Sequence, residues 1–225
     1  MKRLTYHCGL LLTAMAIMPC GAVTIVTSPG TAAPPPTLGS YTMHAFPVEV
    51  RTEGTLVPDA VHWDNTVDPA LTVPYALRFN HAELNQIGSG WATWSHGYTG
   101  AAYFTEGTDQ YLVFPEQIQA FYMYVQPNLF GTFEFMFTSE GVTKNVVIEG
   151  NSGAQYVGIY TNGPLYQDPV TGLYDPEYLS GISIKQLGGA DGFAIGEFAS
   201  NIPEPTTWTL AALGLCGAFA RRRRI

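Results

Sequence analysis

Short β-rich segments separated by turn-forming residues dominate the middle of this 225-residue chain. In order they read "YTMHAFPVEV", "AAYFT", "QYLVF", "AFYMYVQ", "TFEFMFT", "VTKNVVIEG", "AQYVGIYT", "GISIKQL" and "GFAIGEF". In "TFEFMFT", Phe133, Phe135 and Phe137 share one face and Glu134 takes the other, which is the period of a half-buried strand. Residues 81–87, "HAELNQI", predict a helical turn instead.

Strands repeated at this spacing predict an all-β fold, an antiparallel two-sheet β-sandwich of jelly-roll type over residues 41–200. A single open sheet would leave many aromatic side chains and its own edges unburied. Residues 23–40, "VTIVTSPGTAAPPPTLGS", are rich in Pro, Thr, Ala and Gly. This composition predicts a spacer that does not belong to the core.

The first 22 residues, "MKRLTYHCGLLLTAMAIMPCGA", have the layout of a secretory signal peptide. Lys2 and Arg3 precede an apolar stretch at residues 9–18, and small residues precede a cut after Ala22. Cys20 raises the alternative of a lipoprotein, but the residues before it lack the small side chain that lipoprotein processing expects. A retained anchor is the other alternative. Residues 1–22 therefore predict export through the Sec translocon.

Charge and cysteine content change once both ends are set aside. Between residues 23 and 204 the chain has four Lys and Arg against 18 Asp and Glu, a formal charge of −14, compared with −8 for the whole chain. Such a surface repels nucleic acid and anionic lipid, so we expect no nucleic-acid partner. Cys8, Cys20 and Cys216 all lie near the ends, so the predicted body depends on its core rather than on disulfides.

The C-terminal segment, residues 202–225, combines a proline pair, an apolar run and an arginine cluster. As a helix, residues 206–220 would span about 22 Å against ~30 Å of bilayer hydrocarbon. The arginines would stay on the cytoplasmic side and leave the acidic body outside. Pro203 and Pro205 prevent a helix from continuing outward. This pattern indicates a removable sorting signal more than a permanent anchor.

The sequence "IPEPTTWTLAALGLCGAFARRRR" resembles the PEP-CTERM sorting domain of Gram-negative bacteria. The resemblance rests on Pro203, Glu204 and Pro205, on the following Thr-Thr-Trp, on the apolar helix with its glycine, and on Arg221, Arg222, Arg223 and Arg224. It implies processing by an exosortase near the Pro-Glu-Pro, with the C-terminus transiently anchored in the inner membrane and facing the cytoplasm. It further implies a final place at the cell surface or in the extracellular matrix, associated with exopolysaccharide.

This resemblance covers about 23 residues and indicates where the protein goes rather than what it does there. An ordinary tail-anchored protein is the alternative. Residues 90–198 are also similar to a body type that recurs among PEP-CTERM proteins, although no established activity follows from that likeness. The general β-sandwich character is like that of carbohydrate-binding modules, which is an analogy of fold alone.

The densest candidate site is "GSGWATWSHGYTG", which places Trp91, Trp94, His96 and Tyr98 close together. Flat aromatic rings of this kind stack on the apolar faces of sugars. Their density in this segment predicts that it contacts a ligand. The alternative is that the rings fill the core, with each N–H or O–H bound to a partner. In a strand Trp91 and Trp94 would point to opposite faces, so at least one of them is expected in the core.

Two weaker hypotheses concern metal and catalysis. Asp168 and Asp175, with Glu177 and loop carbonyls, are candidate ligands for a structural calcium ion, and Asp191 is a separate candidate. The alternative is a loop ordered by its own prolines and glycines, without any cofactor.

For catalysis, Glu134 and Glu149 lie on successive predicted strands and could form the carboxylate pair of a glycosidase. Ser95 and His96 are adjacent, without the strand-turn-helix elbow of a hydrolase. We therefore expect no enzyme. The leading interpretation is an exported, non-enzymatic surface or matrix protein with a structural or adhesive role. A polysaccharide-binding module and a glycan-active enzyme are the alternatives.

Overall fold

A computed structural model of the chain describes residues 23–60, 77–114, 118–162, 166–167, 174–175 and 178–201. Its regular structure is β, apart from one short 3-10 turn at Gly150–Ser152, so the all-β prediction is confirmed. The strands are β1 (Val23–Val26), β2 (Thr37–Leu38), β3 (Tyr41–Thr42), β4 (His44–Ala45), β5 (Leu56–Ala60), β6 (Leu77–Gln86), β7 (Ala101–Thr105), β8 (Asp109–Val113), β9 (Ala120–Pro127), β10 (Thr132–Ser139), β11 (Val142–Glu149), β12 (Gln155–Thr161), β13 (Tyr166–Gln167), β14 (Tyr174–Asp175), β15 (Gly181–Gln186) and β16 (Phe193–Ser200).

Most of these strands form a single antiparallel sheet in the order β1-β12-β9-β16-β7-β6-β8-β15-β10-β11, with β4 on β16 and β5 on β6. The sheet curls until its two ends approach one another. At the seam, Lys144 Nζ in β11 donates to the carbonyl oxygen of Ile25 in β1 at 3.0 Å. The molecule is thus a nearly closed barrel, and the jelly-roll sandwich is not confirmed. One curled sheet encloses its core without needing a second sheet.

The core lies inside this curl and is built by alternation along each strand. In β10, Phe135 and Phe137 are fully buried and their rings stack at 6.3 Å, while Phe133 packs against the core from its edge. Glu134 is exposed and accepts a hydrogen bond from Asn145 Nδ2 at 2.9 Å. The predicted register of this strand is therefore confirmed.

The helical turn expected at residues 81–87 is wrong, because most of this segment belongs to β6. Ala82 and Leu84 are buried at 1% and 3% exposure, while His81 faces solvent and Glu83 is half-buried. That alternation has a period of two. Pairing with β5 and β7 on either side overrides the local helical preference of Ala, Glu and Leu.

The spacer expected at residues 23–40 is also wrong in its relation to the core. Val23 and Ile25 lie in the core, and β1 pairs with β12 along its length. The following proline-rich residues cover the outer face of β9 and β12, where Leu38 packs among tyrosines and Gly30 O accepts from the Tyr156 amide at 2.8 Å. This cover buries rings that would otherwise face water, which explains why every residue of β9 is buried.

The predicted signal peptide at residues 1–22 and the sorting segment at 202–225 lie outside the described residues. Within the described ranges, no helix combines the length and the apolar character that a membrane span requires.

Candidate functional site

Residues 91–98, here called the aromatic loop, lie against the outer face of the barrel. The loop is not a strand, and its regular pairing is limited to a bridge between Trp91 and Ile87. The expectation of opposite faces assumed a strand, so it does not apply to this loop. Trp94 is partly buried and packs against the buried tyrosines of β9 and β12, which agrees with the expectation that one of the two rings joins a core. Both indole nitrogens bond to side chains on the same outer side of the sheet, Gln126 in β9 and Glu197 in β16.

Trp91 is held in a fixed orientation although it is only half-buried. Its indole N–H donates to Gln126 Oε1 at 2.9 Å, and its ring lies 5.5 Å from that of Phe104. Gln126 is 2% exposed, and its Nε2 donates to Thr93 Oγ1 at 2.7 Å and to Gly150 O at 3.3 Å. The buried side-chain amide of Gln126 thus fixes the orientation of the Trp91 indole.

Trp91 also lines an open groove of about 400 Å³ on this outer face. Strand pairing places Glu83 of β6 beside Phe104 of β7, and Phe104 beside Ala194 of β16, which neighbours Gln126 of β9. Phe130, in the turn between β9 and β10, is 70% exposed and lines the groove too. The groove therefore combines aromatic rings with amide and carboxylate groups.

The other residues of the aromatic loop gather around Glu197. Trp94 Nε1–H donates to Glu197 Oε2 at 3.2 Å, and His96 Nε2 lies 3.1 Å from the same oxygen. The side chains of His96 and Glu197 are only 15% and 11% exposed. The ring of Tyr98 lies 6.2 Å from Trp94, and that of Tyr124 lies 5.0 Å from His96. We call these residues the Glu197 cluster.

A β-bulge explains how Glu197 reaches this face. Ile195 and Phe198 both point into the core, and the register of β16 against β9 shifts between Gly196 and Ala199. Without the extra residue, alternation would send Glu197 inward. Glu197 and His96 have φ angles of 53° and 39°, a left-handed conformation that is costly for residues other than glycine.

The surroundings of the Glu197 cluster shift the protonation of both partners. Burial raises the pKa of Glu197 to about 7, and the hydrogen bond from Trp94 offsets only part of that effect. Burial lowers the pKa of His96 below its usual value. Burial, assisted by the charge of Glu197, raises the pKa of Tyr98 to about 12. The cluster can therefore hold a proton near neutral pH. It is separate from the groove, because Glu197 is not among the residues that line the groove.

The structure therefore divides the four candidate ligand-contact residues. Trp91 lines the groove, whereas Trp94, His96 and Tyr98 belong to the Glu197 cluster. Ser95 is buried and its hydroxyl donates to Ala154 O at 2.8 Å, so this hydroxyl is not paired with His96.

The candidate carboxylates of the weaker hypotheses are spread out. Asp191 is exposed, and its carbonyl oxygen accepts from Asn128 Nδ2 at 3.0 Å. Asp175 lies in the small β13–β14 sheet, while Asp168 and Glu177 lie outside the described residues. Among residues that the structure describes, no group of three or more His, Cys, Asp or Glu side chains is placed to hold a metal ion. The calcium hypothesis stays a prediction.

Three residues of this face were missed in the sequence. Glu197 is a lone carboxylate inside the apolar run "GFAIGEFAS", a signal that could have identified it as unusual. Gln126 ends "AFYMYVQ" as its one amide side chain. Phe130 lies in "NLFG" between two strands, and a phenylalanine in a turn has no core face to join.

Comparison with known proteins identifies the C-terminal end of the chain. The family model of the PEP-CTERM protein-sorting motif matches residues 201–224. No curated protein and no solved structure matches the chain. The motif implies exosortase-dependent sorting to the cell surface. Because β16 ends at Ser200, one residue before the match begins, this chain carries a PEP-CTERM protein-sorting motif joined directly to the last strand of a β-barrel.

Proposed function

We propose that the protein is a non-enzymatic component of the cell surface or extracellular matrix, associated with exopolysaccharide and serving a structural or adhesive role. The observation that carries the proposal is the sorting motif at residues 201–224, directly after the last strand of the described chain. A sorting signal in this position follows a domain whose last described strand is already in place.

The anchoring of β16 just before the Pro-Glu-Pro supports this proposal. Asn201 donates its backbone N–H to Ala120 O at 3.1 Å, and its Oδ1 accepts from the amides of Gln119 and Ala120 at 2.9 and 3.0 Å. We call this the Asn201 clasp. The end of β16 is therefore fixed before the Pro-Glu-Pro is reached, and cleavage near that point would remove none of these contacts.

The state of the carboxylates supports a non-enzymatic role. Glu134 is bonded to Asn145 on a solvent-facing strand, and Glu197 is enclosed by Trp94 and His96. Neither of these two carboxylates lines the groove, and Glu83 is the one carboxylate among the described residues that do. A polysaccharide-binding module is the second candidate, and the observation that favours it is the half-buried, fixed ring of Trp91 in that groove.

Fractionation tests the leading proposal. The full chain is expressed in a bacterium that has an exosortase and makes exopolysaccharide, and in matched strains lacking either one. We expect the protein in the polysaccharide fraction of the first strain, free in the medium without the polysaccharide, and retained in the membrane without the exosortase. Equal release into the medium with and without polysaccharide would contradict a matrix role.

A further inference from the structure

We propose that the groove beside Trp91 is a binding site for a neutral polysaccharide, with Trp91 and Phe130 as its stacking rings. The inference rests on the proposed function for the presence of polysaccharide around the protein. The site itself follows from contacts in the barrel. It differs from the sequence-based hypothesis, because it keeps one residue of the aromatic loop and adds residues from other strands.

The exposed ring of Phe130 is the first argument. Burying a phenylalanine side chain stabilises a fold, yet Phe130 is 70% exposed and its neighbour Leu129 is 42% exposed. The barrel therefore gains little from either side chain. Apolar groups grouped at an exposed position are typical of interaction sites. Because Phe130 lines the same groove as Trp91, both rings are available to one ligand.

The fixed orientation of Trp91 is the second argument. Trp91 is half-buried and tied to Gln126 and Phe104, so the part of its ring that stays accessible has a fixed orientation. An aromatic ring immobilised before binding loses little conformational freedom on contact with a ligand. The side-chain amide of Gln126 is hydrogen-bonded to Trp91, Thr93 and Gly150. Its role is therefore to position the Trp91 indole.

The polar groups of the groove favour a ligand rich in hydroxyl groups. Glu83 and Asn85 line it, and Gly90 forms part of its wall. A methyl group at position 90 would collide with Glu53 Oε1 and Asn85 Oδ1, so glycine leaves room for both oxygens close to the groove. Carboxylate and amide oxygens accept hydrogen bonds from sugar hydroxyls, and ionised acceptors give the stronger bonds.

Charge then selects among polysaccharides. Glu83 contributes a carboxylate to the groove, and no Lys or Arg is among the described residues that line it. The surrounding body carries four basic against 18 acidic residues between positions 23 and 204. Uronate or sulfate groups would meet repulsion without a compensating cation. A neutral chain keeps the stacking and the hydrogen bonds without that penalty.

Affinity measurements on the secreted full chain test the site. The probes are dextran, laminarin, xylan and soluble cellulose oligosaccharides as neutral glycans, and alginate as an acidic one. We expect at least one neutral probe to bind and alginate not to bind. Trp91→Ala and Phe130→Ala should each weaken that binding by roughly tenfold or more. Tyr111→Ala is the matched control, since Tyr111 is an aromatic residue 45% exposed that does not line the groove.

Phe130→Ala also guards against loss of folding, because an exposed ring can be removed without opening the core. Unchanged affinity in both groove variants, or binding to alginate as tight as to neutral glycans, would overturn the proposal. So would a failure of every neutral probe to bind. The two proposals can fail separately: if both groove variants still depend on exopolysaccharide for retention, the surface role holds and the groove is rejected.

Discussion

Glu197 and His96 form a contact between two residues that both have left-handed backbone conformations. Such conformations cost on the order of 1–3 kcal/mol each and persist where the surrounding structure holds them. Here the bulge in β16 and the aromatic loop hold them from opposite sides. The contact ties the loop to the barrel and leaves a nearly enclosed carboxylate that titrates near neutral pH.

A pH dependence of stability follows from the raised pKa of Glu197. The folded state binds the proton up to about pH 7, whereas the ordinary value is 4.5, so this stabilisation is complete below pH 4.5 and is lost as the pH rises through 7. We expect the free energy of unfolding to fall by roughly 1–2 kcal/mol between pH 5 and about 8, with solvent screening of this partly buried carboxylate allowed for. Urea unfolding at a series of pH values measures it.

Glu197→Gln tests the assignment. Glutamine keeps an oxygen for Trp94 but does not ionise, so its stability should stay nearly level between pH 6.5 and about 8. His96, with its lowered pKa, acts in the opposite direction, because its contribution is present above pH 6.5 and is lost at lower pH. Glu134→Gln, on an exposed strand position, is the control and should follow the parent protein. If stability changed with pH equally in Glu197→Gln and in the parent protein, Glu197 would not be the group responsible.

The aromatic loop shows how far residue-level prediction extends. The density of Trp91, Trp94, His96 and Tyr98 made this segment a candidate, and all four have aromatic or polar partners on the outer face. Their division between the groove and the Glu197 cluster could not be predicted, because it depends on partners far away in the chain. The role of Glu197 was hidden because a bulge changes the side of the sheet to which a residue points.

At the scale of elements, β10 provides the test of the core. Phe135 is fully buried, touching Phe137 and, edge to face at 5.4 Å, Phe193. Phe135→Ala should lower the free energy of unfolding by ~3–5 kcal/mol, a large part of the ~5–15 kcal/mol typical of a domain. Glu134→Ala, one position away on the solvent side, should stay within ~0.5 kcal/mol. Denaturant unfolding measures the stability of both variants. A larger loss of stability in Glu134→Ala than in Phe135→Ala would contradict the assignment of Phe135 to the core face of β10.

The seam between β1 and β11 offers a second test at this scale. Lys144 closes it with a bond to Ile25 O, while Lys185 on β15 lies 3.8 Å from Asp109 in an exposed pair. A hydrogen bond from a charged group is worth roughly 1.5–3 kcal/mol, and an exposed ion pair about 0–1 kcal/mol. Lys144→Ala should therefore destabilise the barrel more than Lys185→Ala. It should also promote self-association through the freed edge, measurable by light scattering. Equal behaviour of the two variants would contradict a role in closure.

Strand positions were predictable where composition and period agree, as in β10, β12 and β15. The choice between a sandwich and a curled sheet was not, because the pairs that decide it join distant strands such as β1 with β12 and β16 with β7. The prediction of a spacer at residues 23–40 fails for a related reason. Their proline and alanine content is typical of a spacer, but the tyrosines of β9 and β12 give that segment a surface to cover.

At the scale of the whole molecule, the terminal signals and the barrel should behave independently. Replacing Arg221, Arg222, Arg223 and Arg224 with Glu should stall sorting and leave the barrel folded, since the arginines set which side of the membrane retains the tail. Cell fractionation measures the first effect, and tryptophan fluorescence of the purified variant measures the second. Unchanged export and processing would contradict a sorting role for these residues.

The mature ends give a complementary measurement. Intact mass of the extracellular protein should correspond to a chain that starts near Val23 and stops near Pro203-Glu204-Pro205. In the uncleaved arginine-to-glutamate variant, the same measurement on membrane material should recover the tail. Most of the extracellular protein retaining Arg221 would show that the segment is not removed.

The Asn201 clasp has a mechanical consequence when the chain is pulled at its C-terminal end. β16 is flanked by β9 on one side and by β7 and β4 on the other, so tension applied beyond Asn201 is shared by hydrogen bonds along both edges of the strand. Bonds loaded together in shear must break together. β1, at the opposite end of the described chain, is paired with β12 along one edge and has only the Lys144 bond to Ile25 O on the other. A load arriving through the sorting end therefore meets the more resistant of these two strands.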